Sequence, residues 1–338
     1  MKLVTFNNHS GAEVGLLWNN LIFPLSQIDK SLPQDMAHFL KNWDRNSNHA
    51  MEILEQTKAG KFHELALPYN EKDLLAPVPH PTSCRDGYAF RQHVAAARRN
   101  RNVPMIPEFD QYPIMYFTNH NAIQGPGEIL CMPDHFEKLD FELEAAVVLG
   151  KTGRNVKAEN ADEYIAGYMI MNDMSARRLQ MEEMLLNLGP AKGKDFSTVI
   201  GPWLVTPDEL ADNKMSAKNG HTGNNFNLNM SCKVNGIEVS RGNMGDMDWT
   251  FAEIIERCAY GVDVFAGDVI GSGTVGTGCF LELNGTGKLN DPNYKEQWLQ
   301  DGDVVEMEID GLGMLRNTIK KENTDFSILA EKKMPTQQ

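Results

Sequence analysis

From residue 82 onward the apolar residues of this chain come in short runs that keep ending at glycine. Runs of this kind are long enough for strands and too short for most helices, so they dictate sheets joined by tight turns. The run 139–149 stops at Gly150, and 164–172 is almost wholly apolar, hence buried on both faces. Runs 226–234 and 237–241 flank Asn235-Gly236, the strongest short hairpin signal. Further strands are expected at 268–270, 279–283 and 304–309. Two helices are expected among them. One starts at Asp173 and carries Met181, Met184, Leu185 and Leu188 at helical spacing until Gly189-Pro190; the other covers 249–258.

Residues 1–78 read as a separate small module. Strands at 2–6, 13–18 and 21–24, with Asn19-Asn20 as a turn, precede helical stretches at 35–43 and 50–59. Residues 75–81 hold three prolines, which cannot continue a helix and make a junction. The class expected is α+β, mainly β, with a small N-terminal β-containing domain at 1–78 and a larger domain at 79–338. The charged tail after Phe326 is expected to fray.

Charge excludes several kinds of partner. The net charge of −14 disfavours nucleic acid and anionic membranes, which need clustered Lys and Arg. The one basic run, Arg98-Arg99-Asn100-Arg101, reads as a solvated helix face or a contact for an anionic small substrate. Five scattered cysteines without a Cys-x-x-Cys pair fit buried thiols in a reducing compartment. There is no apolar core of signal-peptide length at the N-terminus and no run that could span a membrane. A cytoplasmic protein is expected.

Chemistry concentrates in acidic segments. Glu142 and Glu144 lie two apart on a strand, so they project to one face while Phe141, Leu143 and Ala145 project to the other. Two like charges held so close repel, and a cation offsets this. Asp86 and Asp173 stand in two further segments. Each alone is commonplace, and Asp173 by itself reads as a helix cap. Together, four carboxylates meet most of the demand of Mg²⁺ or Ca²⁺ for hard oxygen ligands, with Mn²⁺ as a third option. Gly271-Ser-Gly-Thr-Val-Gly276 matches the dinucleotide fingerprint, but a strand is expected after it where a helix is required, so a nucleotide site is rejected. A glycine turn that lets backbone approach a ligand remains.

The order of these segments is specific. Asp86-Gly-Tyr88-x-x-Arg91-x-His93, Leu139-Asp-x-Glu-x-Glu144, Met-Asn-Asp173-x-Ser-Ala-Arg177-x-x-Gln180, Gly193-Lys194 running to Gly-Pro-Trp203, and Ser272-Gly-Thr274 followed by Leu281-Glu282 closely resemble the fumarylacetoacetate hydrolase family over about residues 80–320. The resemblance implies a mixed β-roll catalytic domain, a homodimer, and a divalent metal held by Asp86, Glu142, Glu144 and Asp173 that chelates a dioxo-acid substrate. It implies His93 as the base that activates water, with Glu282 orienting it. Arg177, Gln180 and Lys194 would stabilise an oxyanion, and Tyr88, Tyr116 and Thr274 would hold substrate oxygens. One of Arg98, Arg99 and Arg101 would contact the far end of the substrate. Where the long eukaryotic members carry a Tyr one helical turn after the glutamine, this chain has Met184. The leading expectation is cleavage of fumarylacetoacetate to fumarate and acetoacetate, in tyrosine and phenylalanine breakdown. The alternatives are hydrolysis of another acylpyruvate, such as fumarylpyruvate or maleylpyruvate, or a 2-oxo acid hydratase, isomerase or decarboxylase reaction at the same metal site.

Overall fold

Strands Lys2–Asn8, Gly11–Trp18 and Leu21–Pro24 pair antiparallel in succession. Asn19 and Asn20 turn the second hairpin at φ 48° and 59°, the left-handed pair that a two-residue type I′ turn requires and asparagine tolerates. The computed structural model describes residues 1–8 and 11–333. Within it this meander is the edge of a larger sheet. Lys2–Asn8 pairs with Thr198–Val205 in the register Lys2↔Val205. Thr198–Val205 pairs with Ile165–Asp173, and that strand with Leu143–Leu149. The sheet continues through Val269–Gly271 and Cys84–Gly87 to Met115–Thr118, eleven strands in all. A five-stranded sheet runs Ile237–Asn243, Asn229–Val234, Val304–Ile309, Gly313–Lys321, Gly127–Cys131. Asn235 and Gly236 turn its hairpin at φ 52° and 78°.

Period-2 alternation puts a core on each face of the large sheet. Leu143, Ala145, Val147 and Leu149 join one cluster with Tyr168, Ile170 and the apolar face of the five-stranded sheet. Ala146 and Val148 join the other with Met169, Met171 and the helices Met36–Lys41 and Trp43–Lys58. With both faces covered, every residue of Leu143–Leu149 is buried, so a carboxylate on this strand is out of bulk water. The helix Phe251–Ala259 starts at a capping box in which Thr250 and Glu253 each accept from the other's backbone N–H.

Two expectations fail. The segment 279–283 is not a strand; Phe280–Asn290 is a helix. Its alternation of apolar and polar residues suggested a strand, and glycines at 285 and 287 argued against a helix. Tertiary contacts reverse this. The Asp140 carboxylate accepts from the backbone N–H groups of Phe280 (2.7 Å) and Leu281 (2.9 Å), so a distant side chain caps the helix. Gly285 and Gly287 pack where a Cβ would meet Asn100 at 2.4 Å and Tyr294 at 2.4 Å. Nor does Asp173 open a helix: it ends the strand Ile165–Asp173, and the helix is confined to Arg177–Met184. Of the residues that set its periodicity, Leu185 and Leu188 are at least 80% exposed. At the tail, Ser327 donates to Asp134 at 2.7 Å; residues 334–338 of the segment expected to fray lie outside the described residues.

Candidate active site and metal centre

One end of the central strands gathers the acidic residues. Asp86 lies on Cys84–Gly87, opposite Gly271 of the parallel neighbour and Tyr116 of the antiparallel one. Glu144 lies opposite Met171, two residues before Asp173. Asp86, Glu142, Glu144 and Asp173 present carboxylate oxygens within 4.8 Å of one another, and all four residues are buried. The glycine turn makes room for them: a Cβ on Gly271 would stand 2.5 Å from Asp86 Oδ1. Gly273, at φ +77°, turns its N–H to Asp86 Oδ1 at 3.0 Å and Glu144 Oε2 at 3.1 Å.

The electrostatics divide the cluster. Burial, reinforced by Asp173, pushes Asp86 up from 3.8 to about 7. Burial and Asp86 push Glu144 well above the carboxylate range. Burial also raises Asp173, against the pull of Lys194. Burial opposes the ionisation of Glu142 too, but Lys194 and Arg177 outweigh it and hold that carboxyl well below its usual range. Lys194 Nζ donates to Glu142 and, at 2.6 Å, to Asp173. Arg177 donates Nη2 to Glu142 Oε1 at 2.8 Å, Nε to Asp140 Oδ2 at 2.9 Å and Nη1 to Gln180 Oε1 at 3.0 Å. Tyr116 donates to Asp173 Oδ2, while Asp173 Oδ1 is buried with no hydrogen-bond partner. Three carboxyl groups that resist ionisation beside one orphaned buried oxygen fit a hard divalent cation, which supplies both charge and ligand demand.

His93, on the helix Arg91–Arg99, turns Nδ1 to Glu282 Oε2 at 2.7 Å. Glu282 is held in turn by Thr277 N–H on Oε1 at 3.0 Å. The Tyr88 ring meets the His93 ring edge-on, centroids 5.8 Å apart. A cavity of about 610 Å³ joins these parts. Asp86, Tyr88, His93, Tyr116, Glu142, Arg177, Gln180, Lys194, Thr274 and Glu282 line it; Glu144 and Asp173 stand behind its wall. Of the three arginines proposed for the substrate's far end, only Arg101 lines the cavity. Arg98 donates to Pro104 O, and Arg99 to Thr286 Oγ1 at 2.9 Å. Sequence reasoning gave no role to Asp140, although it shares the period-2 face of Glu142 and Glu144, a signal that could have found it. Its carboxylate joins Arg177 to the helix that carries Glu282.

A family profile for the fumarylacetoacetate hydrolase C-terminal domain matches residues 82–320. The chain belongs to this family. The human protein named oxaloacetate tautomerase FAHD2A, mitochondrial, is 31% identical over 94% of this chain and 91% of its own length. The bovine protein of the same name is 30% identical over the same shares. The structure of a fumarylacetoacetate hydrolase from Exiguobacterium antarcticum superposes with a TM-score of 0.66 at 23% identity, covering 95% of this chain and all of that one; at that identity it speaks for the fold. The expectation of a likeness to the fumarylacetoacetate-cleaving branch in particular is corrected: these relatives carry the name of a tautomerase. Among the described residues no helix is long and apolar enough to cross a membrane.

Proposed function

We propose that this protein is a divalent-metal-dependent isomerase that interconverts the keto and enol forms of oxaloacetate or a close 2-oxo dicarboxylate. The observation that carries this reading is how the two buried cations are used. Cleavage of a carbon–carbon bond by water builds a localised alkoxide and needs free positive donors aimed at it. Arg177 is tied to Asp140, Glu142 and Gln180, and Lys194 to Glu142 and Asp173. Keto–enol exchange makes a smaller demand: a proton moved at carbon, and the oxo group polarised. The relatives' printed names support the same substrate.

A cation held by Asp86, Glu142, Glu144 and Asp173 would polarise the 2-oxo group as a Lewis acid. His93, with Nδ1 fixed on Glu282, keeps Nε2 to take a proton from the adjacent carbon and return it, and the Glu282 carboxylate stabilises the imidazolium formed between the two events. Gln180 spends its carbonyl on Arg177, which leaves its NH₂ to donate to a substrate oxygen, with the Thr274 hydroxyl on the cavity wall beside it. Arg177 acts as the clamp that orients Glu142 and Gln180.

One observation favours the second reading, acylpyruvate hydrolysis: about 610 Å³ is more space than a four-carbon diacid fills. A single experiment separates them. Enol-oxaloacetate is added to magnesium-loaded protein in D₂O, with absorbance followed alongside proton NMR. The isomerase reading expects accelerated loss of the enol and deuterium delivered to one face of C3. A parallel sample receives fumarylacetoacetate and fumarylpyruvate in ¹⁸O-water. Label in a product carboxylate, with no acceleration on oxaloacetate, replaces the isomerase by the hydrolase.

A further inference from the structure

Cys279 has no part in the chemistry above, yet it stands beside it. All five cysteines are free and buried, but among the described residues only Cys279 belongs to a group able to hold a metal. Its Sγ, a ring nitrogen of His93 and a carboxylate oxygen of Glu142 lie within 4.8 Å of one another, and all three residues are buried. A tetrahedral zinc site sets neighbouring ligand atoms roughly 3.5 Å apart, so side-chain rotations would have to draw the three inward. The surroundings are already of the right kind. Glu282 holds His93 Nδ1 at 2.7 Å, which leaves Nε2 as the ligand, and a carboxylate behind a histidine is the usual outer shell of a zinc-bound imidazole. Glu142 is kept anionic by Lys194 and Arg177. One thiolate and one carboxylate match a divalent charge.

The two candidate cation sites differ in softness. Four carboxylates favour Mg²⁺, Ca²⁺ or Mn²⁺, whereas a sulfur–nitrogen–oxygen set favours Zn²⁺ or Cd²⁺. We propose that His93, Glu142 and Cys279 form a second site, for a thiophilic divalent cation, whose occupation stops the enzyme. As the Sγ–metal bond forms, the thiol proton leaves to solvent and no electron is transferred. His93 Nε2, once coordinated, exchanges no proton with substrate. Because Glu142 serves both sites, a soft cation also disturbs the hard one.

The test is a Cd²⁺ titration of magnesium-loaded protein, read by the ultraviolet thiolate-to-cadmium charge-transfer band. One equivalent should saturate the band in wild type. Cys279→Ser should abolish it and weaken Cd²⁺ binding by about tenfold or more, while magnesium affinity stays the same. Zn²⁺ should inhibit turnover of wild type and leave the Cys279→Ser enzyme active. A band that survives in Cys279→Ser, or Zn²⁺ inhibition equal in both proteins, would overturn the proposal in favour of another thiol or of simple displacement at the carboxylates. X-ray absorption on zinc-loaded wild type needs no variant to fold: it should give one sulfur at about 2.3 Å, and a shell of only nitrogen and oxygen would also overturn the proposal. The band and the scattering shell report binding alone, so they hold whichever substrate the enzyme turns over.

Discussion

The carboxylate cluster makes a prediction that runs against the usual effect of mutating a buried polar residue. Metal-free Asp86→Asn should be more stable than metal-free wild type at pH 8. In the folded chain, burial and Asp173 raise Asp86 from 3.8 to about 7. The sign follows from proton counts. Between pH 4 and 7 the native state holds a proton at Asp86 that the unfolded state has released, so the unfolded state binds fewer protons and stability falls as pH rises. The loss begins near the unfolded value and is complete above about 7. A difference of about three pH units corresponds to on the order of 4 kcal/mol. Asparagine carries no such charge, and its Oδ1 can still accept the Gly273 N–H that now reaches Asp86 Oδ1 at 3.0 Å. The two proteins should therefore melt together near pH 4 and diverge by roughly 5–10 °C at pH 8. Saturating magnesium should invert the order, because the cation stabilises only the chain with its full ligand set. The assay is thermal unfolding from pH 4 to 8, after chelation and again with magnesium. A metal-free variant less stable than wild type at pH 8, or a gap that does not change with pH, would refute the idea that these carboxylates destabilise the metal-free fold.

Three more predictions rest on single contacts. His93→Ala should lower turnover by about 10²- to 10⁴-fold, with metal content by elemental analysis unchanged; Glu282→Gln, which keeps a partner for Nδ1, should lose less. Asp140→Ala strands the Arg177 guanidinium beside one carboxylate and uncaps the helix Phe280–Asn290; breaking a buried pair costs about 3–5 kcal/mol, visible as a lower melting temperature and reduced helical circular dichroism. Gln180→Ala should reduce kcat by roughly 100-fold if its NH₂ meets charge formed only in the transition state, with KM little altered; a rise in KM alone would assign it to ground-state binding.

How much of this was legible before the structure depends on the range of the interaction concerned. The projection of Glu142 and Glu144 to one face follows from strand period alone, and the face holds: Leu143 and Ala145 enter the opposite core. The turns at Asn19-Asn20 and Asn235-Gly236 follow from the left-handed backbone that asparagine and glycine accept. What stayed hidden was set by partners far along the chain. No local pattern ties His93 to Glu282, 189 residues away. The helix Phe280–Asn290 was misread because its cap is the side chain of Asp140. The apolar spacing of residues 181–188 is real, but nothing in this chain covers Leu185 and Leu188, so periodicity there did not mean burial. The commitment of Arg177 to three acceptors, which decides between the two reaction classes proposed here, is invisible to any motif.

The unbroken sheet also ties the leading residues of the chain to the chemistry. Lys2–Asn8 lies beside Thr198–Val205, which lies beside the strand ending in Asp173, so just one strand separates the first strand of the chain from the strand that ends in a metal-facing carboxylate. Amide protons of residues 2–6 should then exchange with solvent more slowly once magnesium is added, although the ion touches none of them, because opening that strand loosens the ladder on which Asp173 is hung. The leading hairpin becomes a place where occupancy of the site can be read without a substrate.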